Sequence, residues 1–212
     1  MKSEDGLLPG FVDPVRDSAQ TFRTIMNAMA RPGRVYQLPA LPESPAPLYA
    51  ATGAVCLTLL DLETPLWLDH SASSRAVMAY LKFHCGCPIS SGPGDAAYAV
   101  IGDGRTAPEL SRFRCGDPIY PDQSATVIIQ VESLSNSQGT RLTGPGIETE
   151  IHLHATGVSG AFWPDLKANN EQFPLGVDVL LVSPASVCGL PRTVEVSLGE
   201  PGKEESITCT LP

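Results

Sequence analysis

An α/β domain with a mixed β-sheet flanked by helices is the fold class this sequence predicts, and three observations carry the expectation. Apolar residues recur at helical steps in several early segments. Ala125–Val131 is a near-continuous β-branched run, typical of a strand covered on both faces. Thr140–Thr143 and Glu148–His154 flank Gly-Pro-Gly as the arms of a hairpin would. Helices come first, mixed with strands, and strands crowd the second half. Parallel crossovers and hairpins must therefore share one sheet.

The elements follow in order. Asp13-Pro14 opens a helix, because Asp can cap the free amides and Pro suits the first turn. Ala19, Phe22, Met26 and Met29 recur at steps of three and four and form one apolar stripe; Pro32-Gly33 stops the helix. A short strand is expected over Arg34–Leu38. Pro39–Pro47 holds four prolines in nine residues and reads as an extended loop, either a surface connection or an arm laid on a partner. Tyr49–Leu62 is apolar on nearly every side, as in a buried helix, and Pro65–Leu68 follows as a strand. Ser73 to about His84 is a second amphipathic helix with Val77, Tyr80, Leu81 and His84 on one face. Ala96–Ile101, Val177–Ser183 and Arg192–Leu198 read as further strands. No internal repeat and no linker divides the chain, so residues 1–212 are expected to form one domain. Its ordered core should span about 11–198, with a frayed tail after Gly199.

The chain has 212 residues, enough to bury a core; 42% are apolar and 17% charged, which argues against disorder. The net charge of −9 repels phosphate backbones and anionic lipid heads, so nucleic-acid and membrane binding are not expected. The N-terminus lacks the apolar run of a signal peptide, and no apolar stretch approaches the ~20 residues of a membrane span. A cytoplasmic location follows as the expectation, with the six scattered cysteines reduced.

Candidate chemistry is sparse. His84-Cys85-Gly86-Cys87 carries soft ligands, but Cys-x-Cys is not structural zinc spacing; a helix end with two thiols explains it equally. His152 and His154 share one strand face and either bind a metal or sit on the outer face of a sheet. Asp61 and Glu63 are either paired carboxylates or a helix exit into a turn. Gly144 and Gly146 let a backbone approach a phosphate, or serve a tight turn. Arg192, after Pro191 and beside a strand, either grips an anion bidentately or makes an ion pair that holds the last strand. Arg23 and Arg31 flank the first helix as binding or solvated charges. No P-loop, dinucleotide fingerprint, nucleophile elbow or serine with a base is present, so no catalytic residues and no bound metal are expected.

Four phrases stand in fixed order: Thr21 to Gly33, Leu142 to Ile147, Phe173 to Asp178, and Leu190 to Thr193. Leu59–Leu68 (Leu-Leu-Asp-Leu-Glu-Thr-Pro-Leu-Trp-Leu) and Phe83-His84 join them. Together they resemble the PhnH family of the bacterial carbon–phosphorus lyase system, over about Phe11 to Val196. The resemblance implies a subunit of a core complex with PhnG, PhnI and PhnJ. That complex couples an alkylphosphonate to the ribose carbon of ATP and displaces adenine; PhnI carries the glycosyl chemistry and an iron–sulfur radical subunit later cleaves the product. It also implies a fold like that of pyridoxal-phosphate-dependent transferases without their active site. Pyridoxal phosphate needs a buried lysine, and Lys2, Lys82, Lys167 and Lys203 are poorly placed for that, so no cofactor is expected.

Two readings follow. The first is a non-catalytic subunit of a phosphonate-processing transferase complex, a homodimer when isolated. The second is a free-standing enzyme with a phosphate or nucleotide pocket around His84, Asp61 and Arg192.

Overall fold

The computed structural model describes residues 7–198. Helix α1 spans Pro14–Ala30, with the Asp13 carboxylate accepting from the Arg16 amide at 3.1 Å and Pro14 in the first turn. It ends where Gly33, at φ +78°, donates its amide to Gly189 O at 3.0 Å. The chain continues through β1 (Val35–Gln37), α2 (Ala50–Leu59), β2 (Leu66–Leu68), α3 (Arg75–His84), β3 (Tyr98–Ile101) and β4 (Thr126–Gln130). Next come β5 (Ser133–Thr143), β6 (Ile151–Thr156), α4 (Phe162–Asn170), β7 (Asp178–Val182), β8 (Ser186–Leu190) and β9 (Glu195–Ser197).

Six strands form the main sheet in the order β1-β8-β7-β4-β3-β2, and β6-β5-β9 form a second, antiparallel one. Within the main sheet β2, β3, β4 and β7 run parallel, whereas β8 is antiparallel to both β7 and β1. The sheet is therefore mixed, with helices flanking it, as expected. Alternation sorts its side chains. Val100, Ile128, Leu180 and Val187 join the core under α1, α2 and α3. Ile101, Val127, Ile129, Val179, Leu181 and Cys188 face the core under α4 and the small sheet. Each fully buried aliphatic side chain contributes ~1.5–3 kcal/mol to folding.

One connection sets up the site. After α3 the chain passes outside β2: Leu66 N donates to Pro88 O and Ser90 N to Leu66 O, both at 2.8 Å, with a parallel bridge between Leu66 and Ile89. It then returns to the other side of β2 to form β3, and continues to β4 and β7. Travel across the sheet reverses between β2 and β3. Open α/β sheets bind ligands at such a switch point, outside the carboxyl ends of the strands.

Several expectations need revising. The stripe Ala19, Phe22, Met26 and Met29 is not the buried face of α1. Thr21, Ile25 and Ala28 are buried instead, and Phe22 and Met26 are exposed. The first hairpin arm starts earlier than the sequence predicts, at Ser133, the second is shifted to Ile151–Thr156, and both belong to a separate sheet. Helix α4 and strand β8 were not foreseen. The Pro39–Pro47 loop is irregular as expected, and Pro42 and Pro45 are buried within the chain's own fold. The tail after Gly199, with Lys203 and Cys209, and the start with Lys2, lie outside the described residues.

Candidate functional site

Among the described residues Arg192 is the best-anchored side chain. Its Nη2 donates to Asp178 Oδ2 at 2.8 Å and to Ser124 Oγ; Nε reaches Asp178 Oδ1 at 3.3 Å. Nη1 donates to Pro121 O at 2.7 Å and to Pro174 O at 3.3 Å, and the Arg192 backbone amide also donates to Asp178 Oδ1, at 2.9 Å. All five guanidinium protons are thus engaged within the chain. The geometry is that of an ion pair clamping the start of β7 to the segment before β9. Beside it, burial pushes the Cys115 thiol upward, and the Arg192 charge opposes that shift.

The four phrases meet around this clamp. Gly144 (φ +121°) and Gly146 (φ +84°) take backbone conformations that side chains disfavour. A Cβ at Gly146 would stand 2.4 Å from Ala30 O, and one at Gly144 would stand 2.7 Å from Thr193 O. The turn is thereby wedged between the end of α1 and the Arg192 segment. Asn170 Nδ2 donates to Arg192 O at 2.9 Å, which brings in α4.

At the switch point the chain fills its own crevice. Asp69, buried just past β2, accepts from Ala72 N at 2.8 Å and Gly102 N at 3.0 Å through Oδ1, and from Ser71 Oγ at 2.5 Å through Oδ2. Gln130, 2% exposed at the end of β4, accepts from Tyr49 N at 2.7 Å and donates to Gly102 O at 3.0 Å and Pro47 O at 3.2 Å. The carboxyl ends of three parallel strands are thus tied to the start of α2. Sequence reasoning missed both residues. The signal was there: a polar residue directly after, or closing, an apolar strand.

The other candidates sit elsewhere. His84 Nε2 is 3.0 Å from Leu8 O, and its ring packs at 4.6 Å from Tyr80 and 5.0 Å from Phe83, so it fastens residues 8–10 to the end of α3. Asp61 is exposed and accepts from Glu63 N at 2.9 Å, while Thr64 Oγ1 accepts from Asp61 N: a turn leaving α2. His84, Asp61 and Arg192 make no hydrogen bond or ion pair with one another. His152 and His154 lie on β6 on either side of the buried Leu153. Arg23 is exposed; Arg31 Nη1 donates to Asn27 Oδ1 at 2.8 Å. An open cleft of about 660 Å³ between the small sheet and α4 is lined by Arg141, His154, Trp163 and Ser197, and contains none of the other candidates.

Residues 9–197 match the family described as bacterial phosphonate metabolism protein (PhnH). The chain belongs to the PhnH family. It is 35% identical over 186 residues to the alpha-D-ribose 1-methylphosphonate 5-triphosphate synthase subunit PhnH of Rhizobium meliloti (strain 1021), covering 88% of this chain and 93% of the relative. It is 35% identical over 181 residues to the putative C-P lyase subunit protein HtxG of Stutzerimonas stutzeri, covering 84% of each. All four phrases fall inside the matched range.

The described residues of this PhnH-family chain do not fit pyridoxal phosphate. Lys82 on α3 and Lys167 on α4 are exposed, and the switch point holds an acid and an amide already committed to backbone groups. Among the described residues no group of three or more His, Cys, Asp or Glu is arranged to hold a metal ion. Burial raises the thiols of Cys56 and Cys85, the latter to about 12, which disfavours the thiolate that a metal requires. No helix among the described residues is long and apolar enough to cross a membrane.

Proposed function

We propose that this chain is a non-catalytic, required subunit of a carbon–phosphorus lyase core complex in organic phosphonate catabolism. It supports transfer of the ribose triphosphate moiety of ATP to an alkylphosphonate, chemistry that partner subunits perform. The observation that carries this reading is the closed switch point. Where an α/β sheet would receive a ligand, Asp69 and Gln130 bond the chain's own backbone. The relatives' names, one a synthase subunit and one a putative C-P lyase subunit, point the same way.

PhnG-, PhnI- and PhnJ-type subunits are the partners this reading assigns. The isolated chain is a homodimer in the cytoplasm, and residues 1–212 act as one PhnH-like domain with a core of about 11–198. A likeness to pyridoxal-phosphate-dependent transferases with the cofactor function lost is supported by the mostly parallel sheet, its switch point, and the exposure of Lys82 and Lys167. Arg192, Gly144 and Gly146 shape the surface where α1, β7 and β9 meet; His84 and Asp61 hold the ends of α3 and α2. A free-standing enzyme would instead bring His84, Asp61 and Arg192 together, and they share no hydrogen bond or ion pair.

The test is co-expression with the PhnG-, PhnI- and PhnJ-type subunits of the same source, followed by native mass and an ATP–alkylphosphonate coupling assay. A stoichiometric assembly whose activity needs this chain is expected, with no turnover by the chain alone. Turnover by the purified chain, or refusal to assemble, would sink the reading.

A further inference from the structure

Helix α1 carries two apolar faces, and the fold uses only one. Thr21, Ile25, Ala28 and the following Pro32, at helical steps, are buried against α2 and β8. Val15, Ala19, Phe22 and Met26, at the same steps, form a second stripe about 100° round the helix, and all four are exposed: Val15 by 81%, Phe22 by 47%, Met26 by 52%. The sequence period is clear, and nothing among the described residues covers this stripe. Such a contiguous exposed apolar strip marks an interaction surface.

Charge selects the occupant. Between residues 13 and 34 the chain carries Arg16, Arg23, Arg31 and Arg34 against Asp13 and Asp17, a local excess of cations in a chain of net charge −9. Both aspartates are occupied at the start of α1, where Asp13 caps Arg16 N and Asp17 Oδ2 accepts from Asp13 N at 3.0 Å. Among the described residues none of the four arginines makes an ion pair, whereas Arg105, Arg141 and Arg192 do. A two-fold contact would set the patch on itself, arginine rim against arginine rim, which like-charge repulsion disfavours. The acidic field of the whole molecule also opposes an anionic membrane.

We propose that the outer face of α1 is the docking surface for a different protein subunit, one presenting an apolar groove rimmed by aspartate and glutamate. This rests on the subunit reading above and assigns it a surface. Phe22 and Met26 are the anchors. Arg16 and Arg23 set the orientation and the salt dependence.

The experiment is co-purification of the full-length chain with PhnG-, PhnI- and PhnJ-type subunits, comparing wild type, the double variant Phe22→Glu/Met26→Glu, the double variant Arg16→Glu/Arg23→Glu, and Phe83→Glu on α3. Phe83 is 69% exposed and lies off the stripe. The stripe variant should lose assembly affinity about 10-fold or more at an unchanged unfolding midpoint. The arginine variant should weaken assembly at low salt and flatten its salt dependence, and Phe83→Glu should assemble like wild type. If wild type assembles and the stripe variant assembles equally well, the surface assignment fails and the subunit reading stands. If wild type does not assemble, the subunit reading itself falls. A homodimer that the stripe variant dissolves would name a second copy as occupant and overturn the proposal.

Discussion

The switch point and the outer face of α1 are opposites. At the first, where ligands enter such sheets, every polar group of Asp69 and Gln130 meets a partner from the same chain. At the second, apolar side chains and arginines without an ion pair among the described residues face outward. The difference teaches which surface is internally satisfied and which is left open. The crevice spends its polar groups on the chain's own backbone, while the helix leaves half its apolar pattern unburied, the half proposed above to meet another protein.

Breaking the self-satisfied side should cost most. Arg192→Ala strands the partly buried Asp178 carboxylate and is expected to destabilise folding by ~3–5 kcal/mol, read from urea midpoints; a cost below ~1 kcal/mol would show that the clamp is slack. Asp69→Ala leaves the amides of Ala72 and Gly102 without acceptors and should cost ~3 kcal/mol, whereas Asp69→Asn, which keeps one oxygen, should cost much less. Equal losses for the two would mean that the charge, rather than the acceptor, matters there.

Neighbours on α1 sharpen the contrast. Ile25→Ala, on the buried face, should cost ~2–4 kcal/mol. Phe22→Ala, three residues earlier and larger, should change stability by ~0.5 kcal/mol or less. A large loss at Phe22 would place that ring inside the fold and remove the docking surface.

The smallest effect is in alkaline titration. Burial lifts the Cys85 thiol from 9.0 to about 12, with the neighbouring Cys87 adding to the rise. The folded state thus holds this proton more tightly than the unfolded chain does. Its contribution is whole below about pH 9 and fades as pH rises toward 12. Unfolding midpoints measured between pH 8 and 11 should therefore fall, and Cys85→Ala should flatten that slope. An identical slope in the variant would assign the loss to other groups.

Much of the fold is written locally. Asp13, Pro14 and Pro32-Gly33 bound α1, and the β-branched run marks β4. What stays hidden has physical reasons. The first half of β5, Ser133 to Gly139, is a mostly exposed strand of small polar residues and carries no apolar alternation. Ser186-Val-Cys-Gly-Leu190 looks like a turn because Gly189 is needed for contact: a Cβ there would stand 2.6 Å from Ala28 O. That same contact explains the misleading stripe. α1 lies so close to β8 that its inner face uses Thr21 and Ala28, and the larger side chains go outside. In α4 only Phe162, Leu166 and Asn169 are buried, too few for a pattern. The site was half legible. Arg192 stood out, but its partners Asp178, Ser124 and Pro121 converge only in three dimensions.

The pairing of β1 with β8, Val35 opposite Cys188, joins segments about 150 residues apart. During synthesis at ~5–20 residues per second, the amino-terminal helix must wait roughly 8–30 s for the strand it rests on. Through that interval the inner side of the helix can rest on α2 alone, its outer side stays bare, and the seal closes only once Ser186–Leu190 has left the ribosome.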